Sequence, residues 1–426
     1  MNLNFKNLFL KKLIFGIFFI NFFSLCFADN LKEVVNNSIK TNLNFLNSQN
    51  ELNNLKENII QSKEKKKLSI TGFLNAGKVL DLDCENNNNG CFSNSFTSGI
   101  SNNFSLFDGG IISSEIKNNE LEFEIKKLEL ENLKNNLIYD VTEAYLNVLS
   151  DRNLIELSKK NIQVLNEEFK ATESRFILGE VTNTEVAQAS ASLASAESIF
   201  ASRIGALTSS DLKFENLVGY KPKKLSEITI LPVLPKTLKI SLEIANSKNP
   251  LISASKLRVE QSKILLDIAK NGPFLSLNLT SDITFGKNNN SNFSSADLMV
   301  VGSIPLNSKN RFLSEEREAK NNYLISLTSL DLVVKNVESK VISAWSNLQV
   351  TSSIVKSREK ELQATILAHN GLKEESSLGL RPTIDIFNSE KLLFDSNLNL
   401  ERAQKDFLLA QFNLLKQLGI LSISNF

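Results

Sequence analysis

The chain has 426 residues, 42% hydrophobic, 22% charged and 8% aromatic, which is ample apolar material for a packed core and excludes a disordered polymer. The formal charge is +1, and Lys6, Lys11 and Lys12 stand in the first 28 residues with no acid among them. The remainder is therefore slightly acidic, without the basic footprint of a nucleic-acid binder. Beyond the N-terminus no apolar run approaches the ~20 residues of a spanning helix, so any crossing of a membrane by this chain has to use strands.

In chain order, residues 1–28 read as an export signal: three lysines, the apolar run LIFGIFFINFFSLCF, then Ala28 with the small Cys26 two places before it. An uncleaved anchor is the alternative; Leu25 stands where a lipoprotein site wants a small residue. Residues 33–66 are polar and helix-like, with no Gly or Pro, ending in the basic KEKKK at 63–67. Residues 68–80, an Asn-rich tip, and 96–107 follow. Phe96, Ile100, Phe104 and Leu106 alternate with Thr97, Gly99, Ser101, Asn103 and Ser105, the period of a strand with one apolar face. In the tip, CENNNNGC carries Cys84 and Cys91. Export exposes them to oxidising conditions and no second Cys or His pair offers a metal site, so a disulfide between them is expected.

Residues 110–177 contain no proline and predict one long helix, about 100 Å at ~1.5 Å per residue. Gly179 interrupts it, a helix of about half that length follows over 184–217, and residues 220–237, with three prolines, form a linker. The same textures then recur. Leu275, Leu277, Leu279, Ile283 and Phe285 alternate with polar residues, a GKNNNSN tip leads to a strand over 297–306, and residues 310–377 predict a second long helix. Within it Tyr323, Leu327, Leu330, Val334, Val337, Val341, Ala344 and Leu348 step by four and three, a coiled-coil seam. Gly379 breaks this helix, and 383–418 repeats the shorter one.

The two halves match at a constant offset of 200 residues: LGEVTNTEVAQASASL from Leu178 answers LGLRPTIDIFNSEKLL from Leu378, and Val141, Ala144, Tyr145, Asn147 and Val148 answer Val341, Ala344, Trp345, Asn347 and Leu348. Two structural repeats are expected, residues 29–219 and 238–420, with a tail over 421–426. Each supplies one hairpin of long strands, four strands in all. Such strands suit an outer-membrane barrel, yet even a small barrel uses about eight. The hairpins therefore have to be pooled between chains. A periplasmic coiled-coil tether with incidental hairpins and no pore is the competing expectation.

With these motifs in place, the chain resembles the TolC-type outer membrane factors, the exit ducts of tripartite efflux pumps and type I secretion systems. The resemblance is carried by SLFDGG after a strand, VTEAYLNVLSDRNLIELSKKNI in the first long helix, the two Leu-Gly turns, and NPLISASKLRVEQSKILLDIAKNGPFLSLNL before the second hairpin. It covers nearly everything after the signal. It implies a mainly α fold with a β-barrel portion: a homotrimer whose twelve strands form a barrel among outer-membrane lipid and whose long antiparallel helices form a periplasmic α-barrel. The implied partners are a periplasmic adaptor (membrane fusion) protein and an inner-membrane pump or ABC transporter, which supplies the energy. No cofactor, metal or catalytic motif is implied.

The resemblance also marks Gly179 and Gly379 as the periplasmic tips and Asp385 as an acidic ring at a constricted entrance, with Asn388 one helical turn on where some relatives carry a second acid. Arg381 is marked as a latch, with Thr184 and Glu185 as its partners; a linking tyrosine known in relatives is Ser376 here. Read from the residues alone, three Asp385 carboxylates on one axis would favour cations, whereas Glu185 and Asp385 are also ordinary acids of a helix's first turn, after Thr184 and Thr383. His369, the sole histidine, predicts a solvated helix face, and Tyr145 and Trp345 predict packing residues.

Overall fold

The computed structural model describes residues 30–80, 92–228, 231–271, 275–288, 291–305, 309–378 and 380–425. The export signal, the Cys84 and Cys91 pair and Gly379 lie outside them. The first half runs α1 (Leu31–Thr41), α2 (Leu43–Glu64), β1 (Ser69–Leu80), β2 (Phe92–Phe107), α3 (Ile111–Ile177) and α4 (Asn183–Val218); the second runs α5 (Leu238–Lys248), α6 (Pro250–Asn271), β3 (Ser276–Asn288), β4 (Ser291–Ser303), α7 (Lys309–Ser377) and α8 (Thr383–Leu418). The class is mainly helical with a strand portion, as the sequence predicts. The long helices have 67 and 69 residues, far beyond the length of an average globular helix, and each is followed by one of 36.

Several boundaries differ from expectation, among them the start of β2, at Phe92 and not at 96. The polar helix predicted over 33–66 is broken at Asn42, whose backbone is extended and whose side-chain carbonyl accepts from Phe45 N–H at 3.1 Å, so one residue ends α1 and caps α2. The last strand starts at Ser291 and not at 297, because its polar first half lacks alternation of its own and takes its register from β3, Asn288 standing opposite Ser291.

The four strands form one antiparallel sheet in the order β1-β2-β3-β4. Ile100 stands opposite Ile283, so the hairpins of the two halves join through β2 and β3. Registers put Ile70, Leu74, Phe96, Ile100, Leu279, Ile283, Leu298 and Val300 on one face, and Thr71, Asn75, Thr97, Ser101, Thr280, Asp282, Thr284 and Asp297 on the other. Leu298 is 72% exposed and Ile70 67%, an apolar sheet face with none of the described residues packed against it. Among the described residues, β1 and β4 each have one unpaired edge.

The main core lies midway along the long helices. Tyr145, Val141 and Ile138 of α3, Val341 and Leu348 of α7, Phe214 and Val218 of α4, and Phe412 and Leu415 of α8 meet α1 and α5 there. The shorter helices run end to end: at the C-terminus of α4 the carbonyls of Leu217 and Val218 accept from Ser38 Oγ at 2.7 Å and Thr41 Oγ1 at 3.1 Å, and at that of α8 Gln417 accepts from Asn249 Nδ2 at 2.9 Å. Terminal carbonyls that a helix leaves unsatisfied are thus capped by the next segment. The linker is strapped to α3 by Tyr145 Oη donating to Ser226 O at 2.5 Å and by Arg152 donating to Pro222 O at 2.9 Å and to Lys223 O.

Candidate functional site at the helical tips

The first tip is closed by local chemistry. Gly179 takes a positive φ of 78°, and Glu180 N–H donates back to Arg175 O at 2.9 Å, the closure by which a left-handed residue ends a helix. Arg175 Nε stands 3.4 Å from the Glu180 carboxylate across the same turn. α4 then starts after Thr182, and the Glu185 carboxylate accepts from the Thr182 backbone N–H at 2.9 Å, a capping box that ties up this acid. The cap is therefore Thr182 and not Thr184, which is exposed in the first turn.

The second tip keeps the return bond but not the cap. Leu380 N–H donates to Glu375 O at 3.0 Å, the same return bond, but the cap position of α8 is Pro382. Proline has no N–H to give. Asp385, the counterpart of Glu185, consequently has no capping partner on that backbone, and its carboxylate lies 3.9 Å from Arg381 Nη1. Arg381 also holds Glu375 at 2.9 Å, and Ser376 Oγ donates to Arg381 O at 3.4 Å. The hydrogen bond and charge of Glu375, then the charge of Asp385, hold the Arg381 guanidinium above its ordinary pKa, so it is a fixed cation.

The structure therefore brings Arg381 and Asp385 together, beside a partner that sequence reasoning missed, Glu375. Among the described residues, the ion pairs of Arg381 are with Glu375 and Asp385; within one chain it meets neither Thr184 nor Glu185. Both acids stand in the first turn of their helices as expected, but only Glu185 is also held by a capping box. Asn388 is exposed and lines a groove between α8 and the α3–α4 pair with Asn161, Ser192, Lys391 and Asp395. Ile177 and Leu178 are 79% and 73% exposed, and Leu378 and Leu380 are 75% and 71% exposed, so both tips present bare apolar side chains beside their charges.

His369 departs from expectation. It is only 8% exposed, facing α8, with Nδ1 2.9 Å from Ser389 Oγ and Nε2 3.1 Å from the Glu390 carboxylate. A signal for this was present: continued past Leu348, the four-three stepping reaches Thr365 and then His369, both buried here. Tyr145 is fully buried and Trp345 partly so against the same core, as expected of packing residues.

Comparison with known proteins agrees with this architecture. The family model for the outer membrane efflux protein matches residues 34–219. The outer membrane efflux protein BepC of Brucella suis is 27% identical over 370 residues, 85% of this chain and 79% of that protein. The alkaline protease secretion protein AprF of Pseudomonas aeruginosa is 23% identical over 301 residues, 67% of this chain and 62% of its own length. Among solved structures, the transmembrane channel CusC superposes with a TM-score of 0.82 over 92% of both chains at 15% identity, a likeness of fold. In its motifs, fold and relatives the chain is similar to the outer membrane efflux proteins, the TolC-type outer membrane factors it resembles in sequence.

Proposed function

We propose that three copies of this chain form an outer-membrane exit duct, a twelve-stranded barrel continued by a helical conduit through the periplasm. One observation carries this: a sheet of four long strands with an exposed apolar face and two free edges, on helices about 100 Å long. A sheet edge left open in lipid has unsatisfied backbone groups, and closure between copies removes them. The second long helix supports the same assembly, since Ile325, Leu332, Ile342 and Val350 of α7 stand 44% or more exposed outside the seam it shares with α8, as a helix waiting for a neighbouring copy does. The two halves act as structural repeats, so three copies give six similar hairpin-and-helix units around one axis.

Energy has to come from elsewhere, from an inner-membrane pump reached through a periplasmic adaptor that docks on the bare apolar tips. Efflux of small molecules and secretion of unfolded protein are both compatible with a passive duct, and the relatives BepC and AprF bear names of each kind. At the entrance Asp385 forms the carboxylate ring with Asn388 one turn above it. Arg381, anchored by Glu375, latches against Asp385 and, across the assembly, against Thr184 and the carboxylate oxygen of Glu185 that the capping box leaves open, in an adjoining hairpin. The test is single-channel recording in a planar bilayer. The wild type conducts weakly with preference for cations, and Arg381→Ala raises conductance several-fold; an unchanged conductance refutes the latch, and no conductance from a membrane-inserted trimer favours a pore-less tether.

A further inference from the structure

Near the second tip, about 12 Å along α7 from its end, one buried group is left unused by the duct. His369 Nε2 faces the Glu390 carboxylate, which accepts only, and Nδ1 faces Ser389 Oγ. Ser389 has one hydroxyl hydrogen and lies 2.8 Å from Ile386 O, which also accepts only. If that hydrogen goes to Ile386, Ser389 can only accept from His369, and the ring then needs hydrogens on both nitrogens. A ring carrying two protons satisfies all three contacts. A neutral ring beside an ionised Glu390 cannot: a hydrogen on Nε2 forces Ser389 to give up Ile386 or to leave Nδ1 unpaired, and a hydrogen on Nδ1 leaves Nε2 facing the carboxylate with no hydrogen between them.

One charge opposes the doubly protonated ring: Lys373, four residues on along α7, is exposed to solvent, which screens it, and three or four residues from Glu390 on α8 stand the apolar Ile386, Phe387, Leu393 and Phe394. From α3 and α4 the opposite face of α8 meets Leu165, Ala189, Ala196 and Leu154, all apolar, while Lys391 and Asp395 line the groove on that far side. Thr365 Oγ1 and Ser396 Oγ, 3.3 Å apart and buried, add one neutral link further from the tip, about one turn along α7 and two along α8.

We propose that His369, held between Glu390 and Ser389, is a proton-operated pin that ties α7 to α8 near the periplasmic entrance in acid and slackens them as pH rises. The sign follows from the contacts: the doubly protonated ring makes the stronger link, so the stabilisation is present at low pH and is lost on deprotonation. Histidine is the side chain that ordinarily changes charge between about pH 5 and 8, and the chain has a single one. Any histidine-dependent change is therefore this one. Its effect on conductance rests on the entrance reading above, whereas its effect on the hairpin does not.

Hydrogen exchange of the full-length protein in detergent, read by mass spectrometry over residues 362–396 and corrected for intrinsic rates, tests it. Protection in the wild type falls ~10-fold from about pH 5.5 to 7.5, the equivalent of one hydrogen bond to a charged group. His369→Gln flattens the profile, and Glu390→Gln brings acid protection down to the alkaline level. A flat wild-type profile, or a slope that survives in His369→Gln, overturns the proposal. Should Glu390→Gln not assemble, the wild type and His369→Gln decide alone. A pH-dependent hairpin with pH-independent conductance upholds the pin and refutes the entrance reading instead.

Discussion

Gly219 and Gly419 close the two half-length helices at corresponding places with φ of 89° and 77°, yet they differ in what surrounds them. A Cβ added at Gly219 would meet Thr41 Oγ1 at 3.5 Å, an ordinary contact. At Gly419 it would stand 2.6 Å from Pro250 Cδ and 2.8 Å from Asn249 Cα, neither of which is a side-chain end free to swing away. An L-residue held in the left-handed region costs ~1–2 kcal/mol, which is the whole expected effect of Gly219→Ala. Gly419→Ala adds the overpacking of α8 against the α5–α6 junction, ~1–3 kcal/mol more, for a total of about 2–5 kcal/mol. Urea unfolding of the helical part, followed by far-ultraviolet circular dichroism of the full chain in detergent, measures both. Midpoints that fall equally in the two variants would refute the reasoning, because they would mean that the second end-to-end joint is no tighter than the first.

Three other outcomes follow from contacts already described. Pro382→Thr restores a donor N–H at the start of α8, draws Asp385 into a capping box and raises conductance in single-channel recording, although it stabilises the helix; unchanged conductance would deny that proline keeps the carboxylate available. Tyr145→Phe leaves the buried side of Ser226 O without its donor and lowers stability by about 1–3 kcal/mol in the urea assay. Asp140 is held above the usual carboxylate range, burial outweighing the opposing pull of Lys416 at 4.0 Å. A raised carboxylate pKa makes stability fall as pH rises through it. Asp140→Asn should thus raise the urea midpoint slightly at pH 7, with the gain vanishing as acid protonates the wild type, and a lower midpoint at pH 7 would contradict this.

Periodicity carried the long helices and the hairpins because both are regular over many residues, as with the four-three steps from Tyr323 to Leu348 and the alternation from Leu275 to Phe285. Breaks made by one side chain were harder to read: Asn42 looks like any other residue in a polar run until its carbonyl is seen on Phe45 N–H. At the tips the positions of Arg381 and Asp385 were legible but their chemistry was not. Pro382 and Thr182 occupy matching places, and only the missing N–H tells a capping acid from a free one. Glu375 escaped because its pairing spans a turn whose shape the sequence does not state. His369 was misjudged because the seam was followed to Leu348 and stopped there, three heptads short.

The unpaired margins of β1 and β4 also bear on inheritance. If each finished duct needs every margin sealed by a sister copy, one faulty subunit spoils the ring it joins. A cell making sound and assembly-competent but blocked copies in equal amounts would keep only about one duct in eight free of the defect, so such alleles should behave as dominant even when half of the protein is normal.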